Sequence, residues 1–270
     1  MIDLNFGLWW SGSKLSYLRY LTFKSLRHFH PHSRIQLFTT NAVDTGSNSG
    51  ISHHDFLDPN LTQIDYMSRL VDLGVEIVHV NAKSLGNFYP HQQADIYRWV
   101  YLKKSGGIYL DPDQIILKSF KSLPIKKYDF LYSSYKVDSP FAMDGRFSPI
   151  GVLGASPNSK VVSNVSSVIM DYKKDGDYNS MGVVMMSDVI GRFDFSEGFN
   201  APSNYFYPAP ICDYMNGIYD GTKDIPEDSY ALHWYGGYEP SQKFNKRYTE
   251  EFSKSSKDTI SKFLRGRGII

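Results

Sequence analysis

Residues 94–118, ADIYRWVYLKKSGGIYLDPDQIILK, decide more of the fold than any other stretch. A polar start leads into an amphipathic helix, a Gly106-Gly107 break, a short apolar strand and then two carboxylates, Asp111 and Asp113. A strand ending in Asp-x-Asp delivers acidic oxygens to the edge of a sheet, where α/β proteins build their sites. Two carboxylates that close repel unless a proton or a cation sits between them. The economical reading is a hard divalent metal, itself bridging to an anion such as a diphosphate.

Working outward, the helix is expected over residues 91–104, Gly106-Gly107 as its C-cap and a strand over 108–110. Residues 115–117 and 130–132 continue the sheet. Upstream, residues 2–8 read as a first strand, followed by a loop over 9–13. Leu15, Leu18, Leu21, Leu26 and Phe29 fall at helical spacing over 14–30, and Pro31 ends the pattern. Residues 34–39 and 75–80 read as the second and third strands, separated by a loop over 41–60 and a helix over 61–73 that Gly74 closes. This β-α-β start favours a parallel sheet with a right-handed crossover. Beyond Pro140 the expected elements are helices near 160–172 and 178–193, a strand over 230–234 and one terminal helix over 243–265. There is no internal repeat and no low-complexity linker, so the chain reads as one folded unit.

Composition narrows the function classes. At 270 residues, 41% hydrophobic and net charge +1, the chain is long enough for a sizeable core and too apolar for disorder. Near-neutral charge supplies no field for nucleic acid, so no nucleic-acid partner is expected. The one cysteine, Cys212, excludes a disulfide framework and a Cys-rich zinc site and fits a reducing compartment. No run of about 18 apolar residues is present, so no transmembrane segment is expected. The start, MIDLNFGLWW, lacks the basic region of a signal peptide, and a soluble, cytoplasmic protein is expected. The end, KSSKDTISKFLRGRGII, is basic and closes on apolar residues. Peripheral contact with an anionic membrane is one reading of it; a solvated helix with a frayed tail is preferred.

Several constellations admit two readings. Asp95 and Arg98, at i and i+3, share a helix face as a surface ion pair or as part of the site below that helix. Asp111-Pro112-Asp113 is a turn capping its own backbone or a stiffened carboxylate pair. His233 is a hydrogen-bonded structural residue or a nitrogen ligand to a Mn²⁺-like ion. Trp9 and Trp10 stack on a base or form core edges. His28, His30, His32, His53 and His54 stand at no metal spacing with carboxylates and read as surface residues. The G-x-x-x-x-G-K-[ST], G-x-S-x-G, H-E-x-x-H and G-x-G-x-x-G signatures are absent.

Taken together, Ala94-Asp95-Ile96-Tyr97-Arg98 and Gly106-Gly107-Ile108-Tyr109-Leu110-Asp111-Pro112-Asp113 resemble the S-D-x-x-R helix start and G-G-x-Y-x-D-x-D strand end of GT-A glycosyltransferases of the DXD type. The similarity is greatest to the group of initiating mannosyltransferases, α-1,4-galactosyltransferases, capsular polysaccharide transferases and clostridial glucosylating toxins. More loosely, residues 5–10, 148–157, Met181-Gly182-Val183 and His233-Trp234 resemble the family's first strand, acceptor segments and closing loop. Ala94 stands where the family has Ser, and Val183 where it often has Pro.

The resemblance implies a single α/β domain with a Rossmann-like GT-A fold, a mixed and mainly parallel sheet flanked by helices. Residues 1–135 would bind the nucleotide sugar and 136–270 would form the acceptor side and C-terminal helix. It implies Asp95, Arg98, Asp111 and Asp113 as catalytic residues, with Asp111, Asp113 and His233 holding a divalent metal, Mn²⁺ favoured over Mg²⁺. Leu8, Trp9, Trp10, Asp95, Arg98, Asp111 and Trp234 would contact the nucleotide-sugar donor. The implied reaction moves a sugar from a UDP-sugar, or a GDP-sugar, to a saccharide or other hydroxyl acceptor with retention of configuration. A microbial or viral source fits the missing anchor. A weakly catalytic carbohydrate-binding protein and a metal-dependent nucleotidyltransferase are the alternatives.

Overall fold

A computed structural model describes residues 1–12, 14–40, 64–81, 88–138, 142–175, 177–209 and 213–270. The loop expected over 41–60, with His53 and His54, and Cys212 lie outside the described residues. So do residues 61–63, where the next helix was expected to start.

The sheet grows from β1 (Phe6–Trp10), β2 (Ile35–Thr40), β3 (Val75–Val80) and β4 (Gly107–Leu110), all parallel, with β1 between β2 and β4. Beyond β4 lie β9 (Val152–Ala155), antiparallel to it, then β6 (Phe130–Tyr132) and β10 (Gly198–Asn200). The order is β10-β6-β9-β4-β1-β2-β3, a mixed and mainly parallel sheet among the described residues. Two small ladders stand apart: β5 (Gln114–Ile116) with β11 (Ala231–His233), and β7 (Tyr135–Lys136) with β8 (Arg146–Phe147).

Helices cover both faces. Alternation along β1 sends Phe6, Leu8 and Trp10 into one apolar layer with α1 (Tyr17–Phe29), and Trp9 into the other with α2 (Pro90–Ser105). That second layer also takes α3 (Lys160–Val168) and α4 (Met185–Arg192). The first layer runs from Ile2 to Ile269 and receives α5 (Ser203–Phe206), α6 (Asp213–Asp220), α7 (Glu239–Arg247) and α9 (Thr259–Gly266), while α8 (Glu250–Ser255) packs Phe252 against it.

The break between α2 and β4 requires glycine twice. Gly106 and Gly107 have φ of 63° and 87°, and a methyl on Gly107 would lie 2.6 Å from the Asn5 carbonyl oxygen. The backbone of β4 is thus pressed against the chain entering β1, where Ile108 N–H donates to Asn5 O at 2.8 Å.

Several expectations are corrected. The first strand begins at Phe6 and runs through Trp10, so both tryptophans are strand residues. Gln114–Ile116 leaves the main sheet to pair with β11. The segment before Gly74 is 3₁₀ over Ser68–Leu73. The single terminal helix is three, because Thr249 and Asp258 inside it cap new helices by accepting from Phe252 N–H and Ser261 N–H. The tail is not frayed: Ile269 is 3% exposed, in the core. Nor is His30 a surface residue. It is buried against Phe6 and Phe120 and its Nε2 accepts from Phe120 N–H at 3.2 Å.

Candidate functional site

Parallel pairing of β1 with β4 sets Leu8 opposite Leu110, so Trp9-Trp10 and Asp111-Pro112-Asp113 emerge from the same carboxyl edge. The Asp-Pro-Asp turn rests on α1: Thr22 Oγ1 donates to Pro112 O at 3.0 Å, and Ile116 N–H donates to Ser25 Oγ at 3.0 Å. Polar residues on the buried side of α1 are therefore fasteners for this turn. The β5–β11 ladder then carries His233 in from the far end of the chain, in register with Gln114. From the opposite face α2 begins at Pro90, with Tyr89 N–H donating to Gln92 Oε1 at 3.2 Å. Its first turns place His91, Ala94, Asp95 and Arg98 along one side of a cavity of about 370 Å³.

The carboxylates are tightly held. Asp113 Oδ1 lies 3.0 Å from His233 Nε2, and Gly236 N–H donates to Asp113 Oδ2 at 2.7 Å. The turn delivering that N–H includes Tyr235 at φ 50°, a sparsely populated conformation for a non-glycine residue. Arg98 Nη2 lies 2.9 Å from Asp95 Oδ1, and Nη1 lies 3.5 Å from Asp111 Oδ1 while donating to Ile150 O. Two open alternatives are thereby decided. Asp95–Arg98 is a buried pair, not a surface one, and Asp113 binds partners 120 and 123 residues away instead of its own turn.

Charge in the site is unevenly distributed. Burial pushes the Asp95 carboxyl up to about 7, against the pull of Arg98. Burial also raises Asp111, with the Asp113 charge adding to the rise and Arg98 opposing it. Asp113 moves the other way: burial alone would raise it, but His233, Arg19 and the Gly236 N–H hold it below the usual carboxylate range. His233 is raised, the Asp113 carboxylate outweighing a burial that favours neutral imidazole.

Asp111, Asp113 and His233 each offer a ligand atom, all within 4.8 Å of one another. Two carboxylates with one imidazole suit a hard-to-borderline divalent ion such as Mn²⁺. Among the described residues the buried His233 Nδ1 finds no hydrogen-bond partner, while its Nε2 faces Asp113 Oδ1 at 3.0 Å. The residues fit a metal.

Of the residues expected at the site, Trp9, Trp10, Asp95, Arg98, Asp111, Asp113 and His233 line the cavity. Leu8 and Trp234 are fully buried in the core beneath it, where Trp234 N–H donates to Asp113 O at 3.0 Å and helps fix the turn. The sequence reading did not single out Arg19, His91, Tyr178, Asn179 or Gly236, of which Arg19, His91, Tyr178 and Asn179 also face the cavity. A signal for Arg19 existed: it stands four residues after Leu15, on the apolar stripe of its helix.

Comparison with known proteins finds a family match over part of the chain. Residues 19–130 match the family model described as "Glycosyltransferase sugar-binding region containing DXD motif". An uncharacterised glycosyltransferase of Acanthamoeba polyphaga mimivirus is 27% identical over 166 residues, which cover 59% of this chain and 62% of that relative. The match thus spans about three fifths of the relative's length. Among solved structures, the PaToxG glycosyltransferase is similar at 16% identity and a TM-score of 0.48, covering 98% of this chain and 87% of that one. The galactosyltransferase LgtC is similar at 14% identity and a TM-score of 0.44, covering 92% and 99%. The resemblance read from the sequence is supported this far: residues 19–130 match a DXD sugar-binding region, and the described residues form the mixed, mainly parallel sheet flanked by helices that was expected.

Proposed function

We propose that this chain, a DXD-type glycosyltransferase by its sugar-binding region, moves a sugar from a nucleotide-diphosphate sugar to a hydroxyl of a saccharide or other acceptor. UDP is favoured over GDP as the carrier, Mn²⁺ over Mg²⁺ as the ion, and retention over inversion. The observation that carries the reading is the convergence of Asp111, Asp113 and His233 within 4.8 Å beside the buried Asp95–Arg98 pair.

In this reading Asp111, Asp113 and His233 hold the divalent ion. When bound, the ion supplies electrostatic stabilisation of the charge that builds on the departing diphosphate. Asp95 and Arg98 grip the transferred sugar, with Arg98 fixed by Asp111 and the Ile150 carbonyl so that it need not reorganise. Trp9 and Trp10 border the base. Pro149, Ile150, Asn179, Gly182 and Val183, all from the second half, line the acceptor side of the same cavity. Front-face attack is preferred to a covalent intermediate. The acidic side chains lining the cavity among the described residues are Asp95, Asp111 and Asp113, each already held by Arg98, His233 or Gly236.

A cytoplasmic setting fits the single cysteine. Among the described residues no helix is long and apolar enough to cross a membrane.

The test is hydrolysis of UDP- and GDP-sugars with Mn²⁺, with EDTA, and in Asp113→Ala. Metal-dependent release of nucleotide that the substitution abolishes supports the reading. Hydrolysis that survives both EDTA and the substitution overturns it. Turnover of a sugar-1-phosphate with a nucleoside triphosphate would replace transfer with nucleotidyl chemistry.

A further inference from the structure

Gln114 follows the Asp-Pro-Asp turn directly and is fully buried on β5. Neither of its amide atoms finds a hydrogen-bond partner among the described residues. Its neighbours Ile115 and Ile116 are equally buried, so the strand accepts apolar side chains. An amide placed there without partners forfeits its hydration and gains nothing in return. Such a glutamine points to a state of the site in which the amide is used.

Two of the candidate metal ligands lie beside it. In the antiparallel β5–β11 ladder Gln114 stands directly opposite His233, so the two side chains share a face. His233 turns Nε2 toward Asp113, which leaves Nδ1 as the far nitrogen, buried and likewise without a partner among the described residues. Asp111 meets them over Gly151. A methyl there would lie 3.0 Å from Asp111 Oδ2, 3.0 Å from Gln114 Nε2 and 3.5 Å from His233 Cε1. Carboxylate, amide and imidazole thus converge on one gap that the missing side chain of Gly151 keeps open.

A primary amide accepts at one end and donates at the other. An imidazole that binds an ion through Nε2 carries its proton on Nδ1, and an acceptor there fixes the ring. A carboxylate ligand is fixed in the same way by a donor to its oxygens. We propose that Gln114 is a positioning residue for the metal site, its Oε1 accepting from His233 Nδ1–H and its Nε2 donating to Asp111 when a divalent ion is bound. The assignment rests on the metal-site reading above. Gln114 touches neither the ion nor the substrate; it acts by holding His233 and Asp111 in orientation.

The experiment measures Mn²⁺ binding to the full chain as native protein, Gln114→Met and Gln114→Glu, from the EPR signal of the free ion. Nitrogen coupling to the bound ion is read by pulsed EPR, and melting is followed in EDTA. Met matches the bulk of Gln without its polar atoms, whereas Glu keeps an acceptor for the imidazole N–H. Gln114→Met is expected to weaken Mn²⁺ about ten- to hundredfold and to reduce the nitrogen coupling. Its Tm in EDTA should equal or exceed the native value, because an apolar side chain replaces unpartnered polar atoms. Gln114→Glu should retain the coupling. An affinity within about twofold of native in Gln114→Met, with the coupling unchanged, overturns the assignment. So does a weaker affinity accompanied by a lower Tm in EDTA, which marks an ordinary packing residue. Native protein that binds no Mn²⁺, or binds it without nitrogen coupling, overturns the metal-site reading and this inference with it.

Discussion

Asp113 illustrates how one side chain is tuned by what surrounds it. Its neighbour in sequence, Asp111, is raised by burial, whereas Asp113 is kept ionised by His233, Arg19 and a backbone N–H. The pair is thereby split into one carboxylate held toward its charged form and one that burial pushes toward its neutral form. Asp113→Asn keeps an oxygen for the Gly236 N–H but removes the charge. It is expected to fold normally and lose roughly two to three orders of magnitude in turnover, read by steady-state kinetics beside a thermal melt. Arg98 sits on the other side of that balance. Arg98→Met strands Asp95 and Asp111 in the interior, and about 3–5 kcal/mol of unfolding free energy should be lost in a urea titration. A loss confined to activity would mean that those carboxylates find other partners.

At the scale of elements, the α2–Gly106-Gly107–β4 unit was legible to within a residue or two, because helix period, glycine cap and apolar strand are local signals. Gly107→Ala tests the physical reason for the second glycine. A φ of 87° and a contact of 2.6 Å to Asn5 O should together cost about 2–4 kcal/mol and leave the residual enzyme's KM unchanged, by chemical denaturation and kinetics. Other elements depended on distant partners and were misread. Trp9 and Trp10 look alike in sequence as loop or strand, and only pairing with β2 decides it. Gln114–Ile116 is apolar enough for the main sheet, but β11 arrives from more than a hundred residues away to claim it. His30, which closes α1, was misread for the same reason: the Phe6 and Phe120 rings that bury it come from elsewhere. Burial lowers His30 to about 4 from its ordinary 6.5. The folded state therefore resists a proton that the unfolded chain accepts. The stabilisation is complete above about pH 6.5 and is lost as pH falls toward about 4. His30→Gln retains an acceptor for Phe120 N–H without titrating. Its stability deficit against the native protein should shrink by about 1–2 kcal/mol between pH 7 and 4.5, in paired urea titrations. A deficit that is constant with pH would show that His30 is not the titrating group.

Across the whole molecule, the site is a seam. Strands β1 and β4 lie side by side in the parallel region while their helices, α1 and α2, pack on opposite faces, which opens a crevice at their carboxyl ends. The sequence revealed the walls of this crevice that are consecutive in the chain, namely Asp95, Arg98, Asp111 and Asp113. Its signal for Arg19 was weak, a place four residues after Leu15 on the apolar stripe of α1, and only the two tryptophans that close over it, Trp10 and Trp234, make its burial plain. The second half closes the seam with His233 and Gly236, whose only route to Asp113 is through tertiary contact. A ligand bridging both sides must therefore stabilise the fold as a unit, and it must do so conditionally. Without a cation, a diphosphate brought up to Asp111 and Asp113 meets like charge; with Mn²⁺ the same groups attract it. At a hundred times its Kd a bound ligand adds about 3 kcal/mol. For a chain of this size that is a rise of roughly 5–10 °C in Tm. A panel of UDP, GDP, CMP and their sugars, with and without Mn²⁺, should show one diphosphate producing that rise only when metal is present. The metal alone should give less, because it ties down one end of the seam. In Asp113→Asn the joint rise should vanish while any response to nucleotide alone persists. Equal shifts with and without Mn²⁺ would place the nucleotide away from the carboxylates and separate the Asp-x-Asp turn from donor binding.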